Sequence, residues 1–299
     1  MKAVVVASGK GGTGKTTLTA VLAHLAASRF GVVLADTDVE ASNLPLALSV
    51  SDASCETFSG GAKARIDAGA CTACGLCADV CRFDAVREGS SAYAIDPLSC
   101  EGCGRCATVC PSGAIAMVPS EVGTACTGLT PLGPIAFGQL GPGEDLSGRL
   151  VTEVRGRADA AAGQHAADLL LIDGPPGVGC PLIAAVASTD LLLAVAEPTI
   201  SGAHDLGRLA DLAKRLDVPV RVVLNKADLS ANGAARVREL CETRGIPVVA
   251  EVPFDPRIAS LLEASAADGG RIVPDAASAL GPLALAWENM LDELMTDPR

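Results

Sequence analysis

The sequence predicts an α/β protein: a doubly wound, mostly parallel sheet carrying a small inserted α+β domain. Three observations predict it. Short apolar runs alternate with helix-like segments from residue 2 onward. That rhythm stops near residue 63 and resumes near residue 169. Between those points the chain holds two copies of one cysteine spacing. Alternating strand and helix patterns build parallel sheets, and a segment that breaks the alternation is most simply an insertion.

The elements follow in order. Residues 2–7 (KAVVVA) read as a buried strand, 16–28 as an Ala/Leu-rich helix and 32–35 as a second buried strand. Further strands are expected at 169–172, 191–196, 220–224 and 248–252, with helices at 207–216 and 233–244. Strands that are apolar throughout are covered on both faces. The expected boundaries are 1–62 for the first part of the large domain, 63–118 for the insert and 119–299 for the second part. Residues 119–164 are rich in Gly and Pro and read as a hairpin-like excursion, with β-like stretches at 135–137 and 150–154. Residues 277–295 read as a helix. It carries Glu288, Asp292 and Glu293, so it packs against the protein; a membrane-surface helix would be basic.

Composition narrows the function classes. Hydrophobic residues make up 49% of the 299-residue chain and aromatics only 2%, so the core is built from Ala, Val, Leu and Ile. A net charge of −12 argues against nucleic acid, which needs clustered Lys and Arg. No apolar run approaches the roughly 18 residues of a spanning helix. The first strand runs straight into a glycine-rich loop, with no signal peptide. These features, with no stable membrane anchor, lead to the expectation of a cytoplasmic protein.

Residues 9–16 read GKGGTGKT between a strand and a helix, the context of a phosphate-binding loop. Gly11, Gly12, Thr13 and Gly14 let backbone N–H groups close on phosphates. Lys15 neutralises them, the Thr16 hydroxyl suits Mg²⁺, and Thr17 continues the motif. Residues 36–43 (DTDVEASN) follow the second strand; 169–177 (LLLIDGPPG) form a strand ending in Asp173 and a Gly/Pro turn; 225–228 (NKAD) end another strand.

The cysteines form a second constellation. Cys71, Cys74, Cys77 and Cys81 repeat at an offset of 29 as Cys100, Cys103, Cys106 and Cys110. Ile66-Asp67, Gly75, Val80 and Ala85-Val86 repeat at the same offset as Ile95-Asp96, Gly104, Val109 and Ala114-Ile115. Each run reads C-x2-C-x2-C-x3-C, similar to the bacterial ferredoxin pattern for cubane iron–sulfur clusters. Pro111 follows the second run as in ferredoxins; Arg82 stands where the first run would have Pro. Zinc is the rival reading of paired C-x2-C, although zinc spacings usually pair two and two across a longer gap. Metal thiolates need a reducing compartment.

Taken together, these motifs resemble MinD-superfamily P-loop ATPases (the MinD/ParA/nitrogenase-iron-protein class with a deviant Walker A loop) containing an inserted two-cluster ferredoxin domain. The resemblance implies ATP or ADP with Mg²⁺ and two 4Fe–4S clusters. It implies that Lys10 reaches the nucleotide of the other subunit in a dimer, that Asp38 orients the attacking water, and that Asn43 lies near the nucleotide. Asp36 and Asp173 would hold Mg²⁺ through water, the Gly177 N–H would meet the γ-phosphate, and Asn225 would contact the base beside Pro253. NKAD also resembles the guanine-reading string of GTPases, and a helix N-cap is the rival reading for Asp36 and Asp38. Carried over from two-cluster ferredoxins, one cluster takes Cys71, Cys74, Cys77 and Cys110, and the other Cys81, Cys100, Cys103 and Cys106. Cys180 lies seven residues after Asp173, where the nitrogenase iron protein places an interface ligand. A subunit-bridging cluster from Cys126 and Cys180 is therefore one reading, and small buried hydrophobes the other.

Three functions remain open. One is an ATP-hydrolysing homodimer, or heterodimer with a related ATPase, whose nucleotide state is coupled to electron transfer or to docking of a redox or iron–sulfur partner. Another is an iron–sulfur carrier of the Mrp type, weakened because no cysteine follows Cys241. The third is a spatial-positioning ATPase.

Overall fold

The computed structural model describes residues 1–258, 260 and 280–296. The chain divides into two compact units. One contains Met1–Glu56, Ala125–Gln139 and Ser147–Arg299; the other contains Thr57–Thr124 and Leu140–Leu146.

The elements are β1 (Lys2–Ser8), α1 (Lys15–Ala27), β2 (Val32–Asp36), α2 (Leu44–Ala47), β3 (Ser51–Ile66), α3 (Leu76–Asp79), β4 (Val86–Glu88), β5 (Tyr93–Ile95), α4 (Arg105–Val109), β6 (Ile115–Thr130), β7 (Gly133–Leu140), α5 (Ser147–Gln164), β8 (Leu169–Pro176), α6 (Cys180–Val186), β9 (Leu191–Ala196), α7 (Ile200–Arg215), β10 (Val220–Asn225), α8 (Ala231–Arg244), β11 (Val248–Val252) and α9 (Gly281–Thr296). A nine-stranded sheet has the order β11-β10-β9-β1-β8-β2-β7-β6-β3. From β11 to β7, each described pairing is parallel. Its central strands are buried along their length, as their unbroken Val, Leu, Ile and Ala runs require.

Helix α9 closes one face of the first unit. Leu283, Trp287, Met290 and Leu291 fall at helical spacing and are buried. The single tryptophan is fully enclosed, and its indole N–H donates to the Leu22 carbonyl of α1 at 3.0 Å. The segment expected at 277–295 is thus described as Gly281–Thr296, with 277–279 outside the described residues. Helix α7 starts at Thr199, whose hydroxyl accepts the Gly202 N–H; α8 starts at Ser230, which accepts the Gly233 N–H.

The second unit has its own small core of Ala64, Cys77, Cys106 and Ile115. It is wider than the expected 63–118 and takes in residues 140–146. The chain passes between the units inside β3, β6 and β7, two of which are 16 residues long.

Residues 150–154 correct the reading above. They are helical, not β-like, because Leu150, Val151, Val154, Ala158 and Ala162 form one buried helical face in α5. The stretch at 135–137 is a strand, pairing in parallel with residues 34–36. Among the described residues, no helix is long and apolar enough to cross a membrane.

Trp287→Ala should destabilise the protein by about 3–5 kcal/mol, the usual cost of emptying a large core site. Urea unfolding followed by circular dichroism checks this; a loss under about 1 kcal/mol would mean that α9 does not anchor the core.

Candidate functional site

Parallel strands place their C-terminal ends on one edge, and that edge is where open α/β sheets bind ligands. Here Ser8, Asp36, Asp173, Ala196 and Asn225 end or nearly end strands β1, β2, β8, β9 and β10. The loop of residues 9–14 leaves β1 and enters α1 at Lys15. Gly14 has φ 86°, and a Cβ there would lie 2.5 Å from the Asn225 amide nitrogen. Both the backbone conformation and the space therefore demand glycine.

One buried carboxylate organises the edge. Asp173 Oδ1 pairs with Lys15 Nζ at 2.8 Å, and Asp173 Oδ2 accepts from the Thr16 hydroxyl at 2.6 Å. The Thr19 hydroxyl stands 3.1 Å from Oδ1. Thr37 donates both its N–H and its hydroxyl to the Asp173 carbonyl. Asp36 sits beside Asp173 in register and is fully buried. It accepts from the Ser42 hydroxyl and from the N–H groups of Asp38 and Leu44. Burial, reinforced by the Asp173 charge, pushes its carboxyl up to about 7 against the pull of Ser42, Leu44 and Lys15. Asp38 lies 3.9 Å from Lys15 Nζ; burial pushes its carboxyl up while Lys15 opposes. Lys15 thus faces three acids.

A second ionic group holds the loop from the other side. Glu197, just past β9, pairs with Lys10 at 2.9 Å and with Lys226 at 2.6 Å. Burial raises the Glu197 carboxyl, but hydrogen bonds from Lys226 and Lys10 outweigh it and hold the group below its usual range. Lys226 also donates to the Gly12 carbonyl at 2.9 Å, and the Asn225 amide donates to the Thr13 carbonyl at 2.7 Å. The Thr13 hydroxyl is buried without a partner among the described residues.

Two cavities of the second unit are each lined by four cysteines. One is lined by Cys71, Cys74, Cys77 and Cys110, with Ile66, Tyr93 and Ile115 among its walls. The other is lined by Cys81, Cys100, Cys103 and Cys106, with Phe83, Val86 and Ile95. The repeat is visible in the backbone: Ala73 and Gly75 have positive φ, and so do Gly102 and Gly104. Burial pushes the Cys77 and Cys106 thiols up, whereas the Ser112 hydroxyl draws the Cys110 thiol down. The Ala85 N–H donates to Cys81 Sγ at 3.4 Å. Among the described residues, no three His, Cys, Asp or Glu side chains converge as ligands of a single metal ion.

A match to the CobQ/CobB/MinD/ParA nucleotide binding domain covers residues 4–266, the glycine-rich loop and Asp173 included. The chain belongs to this family. A curated relative described as "Uncharacterized protein MJ0578", from Methanocaldococcus jannaschii, is 36% identical over 227 residues, covering 76% of this chain and 79% of the relative. "Uncharacterized ATP-binding protein MJ0547" from the same organism is 26% identical over 264 residues, covering 86% and 75%. The septum site-determining protein MinD of Pyrococcus horikoshii, solved with Mg-ADP, matches with a TM-score of 0.55 at 19% identity, covering 99% of this chain and 97% of that one. The MinC:MinD complex of Aquifex aeolicus matches with a TM-score of 0.56 at 18% identity, covering 100% and 99%. At these identities the solved structures show a shared fold.

For a CobQ/CobB/MinD/ParA domain, the structure gathers Lys10, Lys15, Thr16, Asp36, Asp38, Asp173 and Asn225 at one sheet edge. Several expected roles meet a different arrangement. Lys10 is engaged within its own chain by Glu197. The Asn225 amide donates to the Thr13 carbonyl of the loop, and Asp228 Oδ1 accepts the Phe254 N–H. The Gly177 N–H donates to the Ser8 carbonyl at 3.0 Å. Asn43 is exposed and donates to the Ala41 carbonyl, and Pro253 is exposed just past β11. Cys126 corrects an expectation outright: it is disulfide-bonded to Cys55, so its thiolate is not free to join Cys180 in a bridging cluster. Cys180 is an exposed free thiol at the start of α6. Glu197 and Thr19 lie outside the motifs read in the sequence, and Lys226 and Ser42 lie inside them without an assigned role; Glu197 is detectable as an acid directly after an apolar strand.

Asp36 generates a pH prediction. Its raised pKa gives a stability contribution that is complete below the unfolded value of 3.8 and is lost as pH rises toward about 7. Between those values the unliganded protein should lose a few kcal/mol of unfolding free energy, at about 1.4 kcal/mol per pKa unit. Urea titrations across this range should show a flatter profile for Asp36→Asn; parallel profiles would contradict the assignment.

Proposed function

We propose that the chain is an ATP-hydrolysing switch of the MinD/ParA kind that acts as a dimer and presents two iron–sulfur clusters to a partner. The Lys15–Asp173–Thr16 arrangement carries the ATPase reading. In it, Lys15 moves from Asp173 to the nucleotide phosphates, while the Thr16 hydroxyl and Asp173 supply the oxygen atoms that suit Mg²⁺. Asp38, facing the same lysine, positions water. Lys10 exchanges Glu197 for developing charge on the nucleotide of the second subunit, and this contact matters in the transition state more than in binding. Family membership and the solved MinD folds favour this ATPase reading over a dedicated electron carrier.

The cluster reading rests on the cysteine cavities. Each is lined by three cysteines of one run and the fourth of the other, the crossed set of a two-cluster ferredoxin. Thiolates are the ligands such clusters take, and apolar walls suit them. A zinc tetrahedron would instead bring sulfurs to about 3.8 Å from each other around one ion, given Zn–S bonds of about 2.3 Å. When bound, 4Fe–4S clusters supply one-electron transfer. The chain's own part is to hold them in the second unit, with Ala85 N–H and Ser112 hydroxyl hydrogen bonds directed at two of the sulfurs. Nucleotide state would then govern electron transfer or docking of that unit. The Mrp-type carrier reading gains no support, since Cys241 is buried inside α8. The positioning reading shares the ATPase, and the family match and the MinD folds favour it over a redox role.

Anaerobically purified protein should contain about eight iron and eight acid-labile sulfide per chain. Cys74→Ser should halve both; zinc without sulfide would refute the cluster reading. Mg²⁺-dependent ATP hydrolysis should be slow alone. Lys15→Ala should abolish nucleotide binding, whereas Lys10→Ala should bind normally and lose at least about a hundredfold in turnover. Unchanged turnover in Lys10→Ala would remove the cross-subunit role.

A further inference from the structure

The Cys55–Cys126 disulfide belongs to neither site. Both residues lie in the first unit, and their bond closes a loop of sequence separation 71 that contains all eight cysteines of the two runs. Cys55 is exposed on β3, which lies at one end of the sheet order, whereas Cys126 is buried on β6. The two sulfurs therefore differ in access, and an incoming thiolate meets Cys55 first. Rates of exchange depend on which sulfur can be attacked.

A further contact would keep the pair together once the bond opens. Arg157 of α5 donates to the Ala125 carbonyl at 3.2 Å and pairs with Glu56 at 2.7 Å. Ala125 and Glu56 are the chain neighbours of the two cysteines. Glu153 holds the same guanidinium at 2.9 Å. Cleaving the disulfide thus leaves β3 and β6 linked through Arg157, and the two thiols stay near one another for re-oxidation.

We propose that Cys55–Cys126 is a reversible dithiol/disulfide site whose substrate is a dithiol reductant. One thiolate of the dithiol attacks Cys55 Sγ, forming a mixed disulfide and breaking the Cys55–Cys126 bond. The electron pair leaves on Cys126 Sγ, which takes up a proton. The second thiolate of the reductant then attacks its own mixed-disulfide sulfur, releasing Cys55 as a thiol and leaving the reductant as a disulfide. Two electrons pass to the protein, and the dithiol is the only co-reactant. The site stands independently of the cluster reading.

The test is differential alkylation with peptide mass spectrometry on folded, full-length protein. After acid quenching, protein prepared without reductant should give a linked Cys55–Cys126 peptide pair. Native incubation with dithiothreitol, or with thioredoxin as a protein dithiol, should open the link, and oxidised glutathione should restore it. Opening by dithiothreitol alone would assign the site to small dithiols; opening by both, to protein dithiols as well. In single variants, the Cys55 thiol of Cys126→Ser should form a mixed disulfide with oxidised glutathione at least about tenfold faster than the Cys126 thiol of Cys55→Ser. Free thiols at both positions before reduction, a link that opens only in denaturant, or equal rates in folded variants would overturn the proposal. The wild-type arm decides the matter even if a variant fails to fold.

Discussion

The strand-end edge of the sheet depends on the pairing of Asp173 with Lys15. A fully buried carboxylate is costly unless its charge is matched and its lone pairs are satisfied. Here one ammonium and two threonine hydroxyls do both. The same lysine opposes the raised carboxyls of Asp36 and Asp38, and one positive charge cannot balance three negative ones. Asp36, the most enclosed neighbour, yields by taking a raised pKa. If Lys15 turns to a phosphate, Asp173 is left uncompensated in the interior. Asp173 and the Thr16 hydroxyl would hold a divalent cation bound with the nucleotide, and its charge would replace that of Lys15. Nucleotide and Mg²⁺ are therefore expected to bind as a unit.

The loop itself is shaped largely by residues beyond its motif. Its carbonyls at Gly12 and Thr13 are held by Lys226 and Asn225 from β10, and its first lysine by Glu197 from β9. These contacts tie the loop carbonyls to side chains of the sheet edge, and the N–H groups of such a glycine-rich turn are what an anion takes. They also give Lys10 a defined resting partner, so any role across a subunit boundary begins with breaking that ion pair.

Much of the first unit was legible because its strands are apolar on both faces and its turns carry glycine at obligatory positions. Residues 2–7, 191–196 and 248–252 are found as expected, and the glycine-rich loop lies between a strand and a helix as its motif demands. Strands β3 and β6 were missed. Residues 51–57 are exposed and mostly polar or small, so hydrophobic periodicity could not mark them. Pairing with neighbours, a tertiary effect, makes them strands. The same non-local pairing of β3 with β6 goes with the Cys55–Cys126 bond, which no spacing rule would pair. At 150–154 a short apolar run proved ambiguous between β and α, and burial of the residues four positions on decided for the helix. At the site, the motif residues could be named, but their present partners could not: Asn225 and Gly177 are occupied by backbone carbonyls that only the folded sheet brings near.

The central claim, that Asp173 releases Lys15 only when a cation replaces it, is tested by measuring ATP affinity with Mg²⁺ and with EDTA for wild type and Asp173→Asn. Calorimetry should show that removing Mg²⁺ weakens ATP binding to wild type by a factor of about 5–150, the span of ordinary coupling energies, and weakens binding to Asp173→Asn far less. Equal loss in both proteins would contradict the account, because Mg²⁺ would then act on the nucleotide alone and not through the buried carboxylate.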